Sequence, residues 1–170
     1  MDDKFTVGII VSNHFGVLNR VAGLYAKRGF NIDSLAVGET ENPAYSRMTI
    51  VSTGDEYTSN QVLRQLEKLH DVKMAVLLGQ DDSVSVEQML IKLVVDEKGE
   101  AAVSDLINDY GGKVMDFGVD FITAEITGSS EKIERFINAA RQNGIIEVCR
   151  SGLISMVHGT ENAFSIKTLT

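Results

Sequence analysis

The order strand, helix, strand, strand, helix, strand can be traced twice along this chain of 170 residues, and that repetition leaves few folds open. Phe5 to Val11 (FTVGIIV) is β-rich and nearly continuously apolar, as a buried strand would be. After Gly16, the positions Val17, Leu18, Val21, Leu24, Tyr25 and Arg28 share one helical face, and Gly29 is the natural stop. Phe30 to Val37 reads as a second strand. Glu39 to Ala44 (ETENPA) holds the only proline and reads as a hairpin loop; Tyr45 to Thr53 (YSRMTIVST) alternates as a third strand. Thr58 and Gln61 have capping-box spacing before a helix with Val62, Leu63, Leu66 and Leu69 on its apolar face. Asp71 to Leu78 completes the first set. The order then begins again with Met89 to Val95 as a strand and a helix through Val103, Leu106, Ile107 and Tyr110, stopped at Gly111-Gly112. Val114–Phe117 and Phe121–Ile126 pair around Gly118, a helix runs through Ile133, Phe136, Ile137 and Ala140 to Gly144, and Ile145–Val157 supplies a long last strand with a break at Gly152.

Each half therefore predicts an antiparallel sheet with two helices on one face. The fold class is α+β: two tandem ferredoxin-like βαββαβ domains. The polar stretch Gly79 to Glu87 (GQDDSVSVE) follows neither period, so residues 80–87 read as a linker between a first domain at 1–79 and a second at 88–170. Domains of about 85 residues bury a modest share of their surface. The sheet face away from the helices must be covered or polar, so partner contacts are expected.

Charge narrows the partners. Asp plus Glu number 24 against 16 Lys plus Arg, a net charge of −8, and no basic run or basic aromatic patch occurs. Phosphate backbones are gripped by clustered Lys and Arg, so no nucleic acid is expected. No apolar run approaches the length of a membrane span, and Met1-Asp2-Asp3-Lys4 lacks the order of a signal peptide. One cysteine, Cys149, precludes an internal disulfide. A soluble, cytoplasmic protein is the expectation.

Catalytic chemistry is hard to place. His14, His70 and His158 have no metal-ligand spacing among themselves or with Cys149, so no metal site is expected. Cys149 lies in an apolar strand and reads as packing, as do the six methionines. No GxSxG elbow or phosphate-binding loop occurs, and Gly111-Gly112-Lys113, between a helix and a strand, reads as a turn. Asp81-Asp82 reads as a solvated pair. No catalytic residue is assigned.

The stretch Ser12 to Leu35 (SNHFGVLNRVAGLYAKRGFNIDSL) is different. The first turn of a helix leaves backbone N–H groups unpaired, and its dipole favours an anion there. Gly16 lets a ligand approach without a side chain in the way, and Asn13 offers donors and acceptors. A carboxylate on the amides near Gly16 to Leu18, with an ammonium group served by Asn13 and strand-edge carbonyls, describes a free amino acid. The same residues also suit a loop whose glycine merely makes a turn.

At this point the sequence resembles a known family. The run GVLNRVAGLYAKRGFNIDSLAVGETENPAYSRMTI, Gly16 to Ile50, closely resembles the small, regulatory subunit of acetolactate synthase, as does EVCRSGLISM near the C-terminus. The resemblance covers essentially the whole chain. It implies that the first domain is an ACT domain, the βαββαβ amino-acid-sensing module. It further implies a chain without an active site that activates a separate catalytic subunit. That subunit would carry thiamine diphosphate, FAD and Mg, and this chain none of them. Feedback inhibition by valine, or a related branched-chain amino acid, would follow in valine and isoleucine biosynthesis. In the family, effector sites form between two ACT domains of a homodimer. Carried over, the loop residues are Asn13, Gly16 and Val17, and the residues facing them from the mate are Asn31 and Ile32, with Gly38 nearby. Phe15 stands where many members have proline. An ACT-domain regulator of another amino-acid biosynthetic enzyme is the alternative, opposed by the specific segments Asn31–Leu35 and Ser46–Ile50.

Overall fold

The computed structural model describes residues 4–79, 81–96, 99–159 and 164. Parts of the expected domains and linker at 1–3, 80, 97–98, 160–163 and 165–170 lie outside the described residues. The first βαββαβ set is β1 (Lys4–Ser12), α1 (Val17–Arg28), β2 (Ser34–Glu39), β3 (Tyr45–Thr53), α2 (Glu56–Leu66) and β4 (Val72–Leu78). The second is β5 (Ser83–Val94), α3 (Glu100–Asp109), β6 (Lys113–Phe117), β7 (Phe121–Gly128), α4 (Ser130–Ala140), a 3-10 turn (Arg141–Asn143) and β8 (Ile145–Val157). Two four-stranded sheets result, ordered β2-β3-β1-β4 and β6-β7-β5-β8, so the same topology is drawn twice. The tandem ferredoxin-like reading is correct.

Strand alternation builds both cores. In the first, Val7, Ile9 and Val11 of β1 and Met48 and Ile50 of β3 meet Val17, Val21 and Tyr25 of α1 and Val62 and Leu66 of α2. Val7 stands opposite Ile50 and Ile9 opposite Met48, so the pleat puts both sets on one face. In the second, Met89, Ile91 and Leu93 of β5 and Ile122, Ala124 and Ile126 of β7 meet Val103 and Ile107 of α3 and Ile133, Phe136 and Ala140 of α4.

Some sequence expectations change. The second helix is capped by Asp55, not by a Thr58–Gln61 box: Asp55 accepts from the Thr58 amide at 2.8 Å and the Thr58 hydroxyl at 2.6 Å. With Asp55 as N-cap the helix starts at Glu56, so Thr58 already lies in the first turn and its own amide is one of the orphan donors that the cap satisfies. The second strand begins at Ser34 rather than Phe30. Residues 83–87, read as linker, form the start of β5. Their polarity concealed a strand because Glu87, 4% exposed, is paired with Arg150 (Nε to Oε1 2.6 Å, Nη2 to Oε2 2.9 Å). Cys149 is exposed on β8, and Met115 and Met156 are exposed on β6 and β8, so none of these three is core packing.

The chain divides into two units, Met1–Val84 with Leu153–Thr170, and Ser85–Gly152. Strands β5 and β8 both run through the division, and β8 passes it at Gly152, whose φ is +79°. The face of the first sheet away from its helices is covered by residues of its own unit. Arg47 donates to the Ser155 carbonyl at 2.6 Å, the Leu153 amide donates to the Ser34 hydroxyl at 3.1 Å, and the Arg47 guanidinium lies 4.7 Å from the Phe164 ring centre. Ile10, Thr49, Val51 and Leu78 are buried there. In the first unit, then, that face is covered from within the chain, whereas Leu90, Val94, Ile146 and Val148 of the second unit remain exposed. Among the described residues no helix is long and apolar enough to cross a membrane.

Candidate functional site

The loop between β1 and α1 is shaped by one glycine. Gly16 has φ +86°, in the left-handed region that side chains rarely adopt, and α1 starts immediately after it. No side chain caps α1, and its first turn holds no acidic residue. A Cβ placed on Gly16 would meet nothing within 4 Å. The positive end of the helix dipole thus opens beside unobstructed space, which suits an anion. Val17, the first helical residue, is buried and fixes the helix start against the core. Phe15 is fully exposed.

Asn13 ties the loop to the β2–β3 hairpin. Its backbone amide donates to the Ala44 carbonyl at 2.8 Å, and its side-chain amide donates to the Pro43 carbonyl and to Glu39 Oε2, each at 3.0 Å. With both donors engaged, the amide oxygen is the group left to serve an ammonium ion.

The remaining expected residues fall at two places. Gly38 lies in β2 opposite Arg47, which is opposite Ile10, so it sits at the same end of the sheet as the loop. Asn31 and Ile32 precede β2, whose Ser34 is level with Val51 and Thr6. Thr6 is six residues before Ser12, about 20 Å along a strand at roughly 3.3 Å per residue. Asn31 donates to Asp33, which also accepts from the Thr53 hydroxyl at 2.6 Å, and Ile32 packs partly against the first core. One chain therefore brings Asn13, Gly16, Val17 and Gly38 to one end of the sheet and leaves Asn31 and Ile32 at the other. A site using both groups needs two copies, and β2, at the sheet edge, is where a second copy can approach.

Sequence reasoning missed the residues that hold the loop in place. Asp71, at the head of β4, has a side chain only 6% exposed. Its carbonyl accepts from the Ser12 amide at 2.9 Å, its Oδ1 from His14 Nε2 at 3.0 Å, and its Oδ2 from Arg20. The Arg20 hydrogen bond holds the carboxyl below the usual carboxylate range, with His14 adding to the effect. A lowered pKa means stability that is complete above the ordinary aspartate value near about 4 and is lost as pH falls through the lower folded value. No spacing signal links these residues, because 57 positions separate His14 from Asp71.

In the second unit the Glu87–Arg150 pair extends to Glu134, at 2.5 Å from Arg150 Nη1, and Glu87 also accepts from the Ser130 hydroxyl at 3.3 Å. These hydrogen bonds push the Arg150 guanidinium pKa up. Fully paired and partly buried, the cluster joins β5, β8 and α4. Among the described residues no group of three or more His, Cys, Asp or Glu could hold a metal ion.

Comparison with known proteins agrees with both halves. The family described as the AHAS small subunit-like ACT domain matches residues 7–74, and that described as the small subunit of acetolactate synthase matches residues 86–159. A probable acetolactate synthase small subunit of Archaeoglobus fulgidus is 40% identical, with 93% of this chain and 99% of the relative covered. The acetolactate synthase isozyme 3 small subunit of Salmonella typhimurium is 36% identical over 90% of this chain and 94% of its own length. The crystal structure of the acetolactate synthase small subunit from Thermotoga maritima superposes with a TM-score of 0.87 at 34% identity, covering 94% of this chain and 99% of that one. Two family matches in tandem, full-length relatives and a shared fold lead to one conclusion: the chain belongs to the acetolactate synthase small subunit family.

Proposed function

We propose that this chain is the regulatory subunit of acetolactate synthase. It activates the catalytic subunit, which carries the thiamine diphosphate, FAD and Mg, and it confers feedback inhibition by valine in branched-chain amino-acid biosynthesis in the cytoplasm. The observation that carries the effector reading is the start of α1, without a side-chain cap, behind a left-handed Gly16 with open space beside it. Valine's carboxylate binds the first-turn amides, its ammonium group binds the Asn13 oxygen, and Asn31 and Ile32 close the site from a second copy. With about eight non-hydrogen atoms at roughly −0.3 to −1.5 kcal/mol each, valine supplies about −2 to −12 kcal/mol. That reaches millimolar to micromolar affinity. One methylene in an apolar pocket discriminates by about 1–3 kcal/mol, so leucine and isoleucine bind measurably too.

Reconstitution tests the reading. The purified chain alone should make no acetolactate from pyruvate; added to the catalytic subunit it should raise the rate, and valine should then lower it. Synthase activity in the pure chain, or a rate indifferent to its addition, would overturn the proposal.

The separation of the expected site residues supports a homodimer through the first unit. Leu18 on α1 and Val37 on the edge strand β2 are 45% and 47% exposed, and both gain from burial. Valine bound between copies stabilises the folded dimer by about 2.7 kcal/mol per site at a hundredfold excess over its dissociation constant. Sedimentation should give a dimer, and melting should rise with valine. A monomer at every concentration, with or without valine, counts against this arrangement.

A further inference from the structure

The contacts of Asp71 and His14 reach the peptide that precedes the helix. We propose that Asp71 is the positioning residue of the β1–α1 loop and that His14 is its proton-sensitive latch, so that the grip on an amino-acid effector tightens when the imidazole gains its second proton. The clause on effector grip rests on the reading under Proposed function; the latch itself does not.

Asp71 reaches the loop at three points: Ser12 at the end of β1, His14 within the loop, and Arg20 in α1. Gly16 lies between the last two. The His14 ring is flanked by two acceptors. Nε2 is 3.0 Å from Asp71 Oδ1, and Nδ1 is 3.1 Å from the Phe15 carbonyl oxygen. A neutral imidazole has one N–H and can donate to only one of them, whereas an imidazolium donates to both. The Phe15 carbonyl belongs to the peptide that joins Phe15 to Gly16. The second proton therefore fixes the plane of the peptide immediately before the left-handed glycine, and with it the direction of the amides that follow.

Charged groups bonded to the ring or to its neighbours come from three elements. Asp71 faces the ring from the head of β4, Arg20 from α1 shares that carboxylate, and Glu39 from β2 is bonded to neighbouring Asn13. Histidine is the side-chain type whose charge changes near neutrality. A fixed loop loses less freedom on binding, and the added positive charge attracts a carboxylate. Both effects make binding tighter at lower pH.

The test uses the full chain. The Gly16 amide resonance, followed by NMR from about pH 5.5 to about pH 8, should move together with the His14 ring signals. In His14→Gln the movement should vanish, and in Asp71→Asn it should shrink. If Asp71→Asn does not fold, His14→Gln, at an exposed position, still decides. By calorimetry, valine should bind about tenfold more weakly at the upper pH than at the lower, the effect of one charge-assisted hydrogen bond, and His14→Gln should flatten that profile. A purely architectural Asp71 would change melting and leave the pH profiles of wild type and His14→Gln parallel. A Gly16 resonance indifferent to His14 protonation overturns the latch. Absence of valine binding at any pH, with the resonance still following His14, overturns the effector reading and the affinity clause while upholding the latch.

Discussion

Gly16→Asp should weaken valine binding by roughly a thousandfold. The new carboxylate would stand within a few ångströms of the effector's own. Two like charges about 4 Å apart cost about 4 kcal/mol at an effective dielectric near 20, and about 1.4 kcal/mol is a factor of ten. The local geometry allows the variant to form, because a side chain at Gly16 meets nothing within 4 Å. An acidic group also suits a helix N-terminus. What remains is the backbone cost of a φ of +86° in a residue with a Cβ, about 1–2 kcal/mol. Gly16→Ala carries that cost without the charge, so the two variants separate electrostatics from shape. Valine dose–response curves of the reconstituted enzyme, each scaled to its own uninhibited rate, provide the measurement. An unchanged half-inhibition concentration in the aspartate variant would place the effector elsewhere. Equal losses in both variants would assign the effect to loop conformation alone.

The second large effect is on stability. Phe136 on α4 is fully buried among β5, β7 and α3, with its ring 5.2 Å from that of Tyr110 and nearly perpendicular to it. Removing such a ring leaves a cavity that a packed core closes only in part, so Phe136→Ala should destabilise the second unit by about 3–5 kcal/mol. For a unit of this size each kcal/mol lowers the melting temperature by about 4–8 °C, so a fall of at least about 12 °C is expected. Val119→Ala, at a residue 96% exposed, should change stability by less than about 0.5 kcal/mol. Calorimetric melting of both variants checks the pair, and amide exchange should show the lost protection in β5 and β7. A drop below about 4 °C for Phe136→Ala would mean that the second core collapses around the gap.

Much of the fold was legible because strand and helix periods are local. Val7, Ile9 and Val11 alternate with partners on the other face, and Ile133, Phe136 and Ala140 recur at helical spacing; each pattern is written within a dozen residues. Polar residues inside elements defeated the same reasoning. Ser83 and Glu87 looked like linker although both are buried in β5, and Glu87 is tolerated there only because Arg150, 63 residues later, neutralises it. Cys149 looked like packing because Ile145, Ile146 and Val148 precede it in β8, yet that stretch of strand is exposed.

The candidate site divides in the same way. The glycine before a helix, the apolar position after it and the asparagine three residues earlier can be read from the chain, since a helix start is set by adjacent backbone groups. That Asn13 is bonded to Glu39 and Pro43, that Asp71 holds both His14 and Arg20, and that Asn31 lies a strand's length from Gly16 follow from sheet order and register. Those are properties of contacts between segments distant along the chain. Local hydrophobic period specifies which face a residue presents; only strand pairing and helix docking specify which residues it meets there.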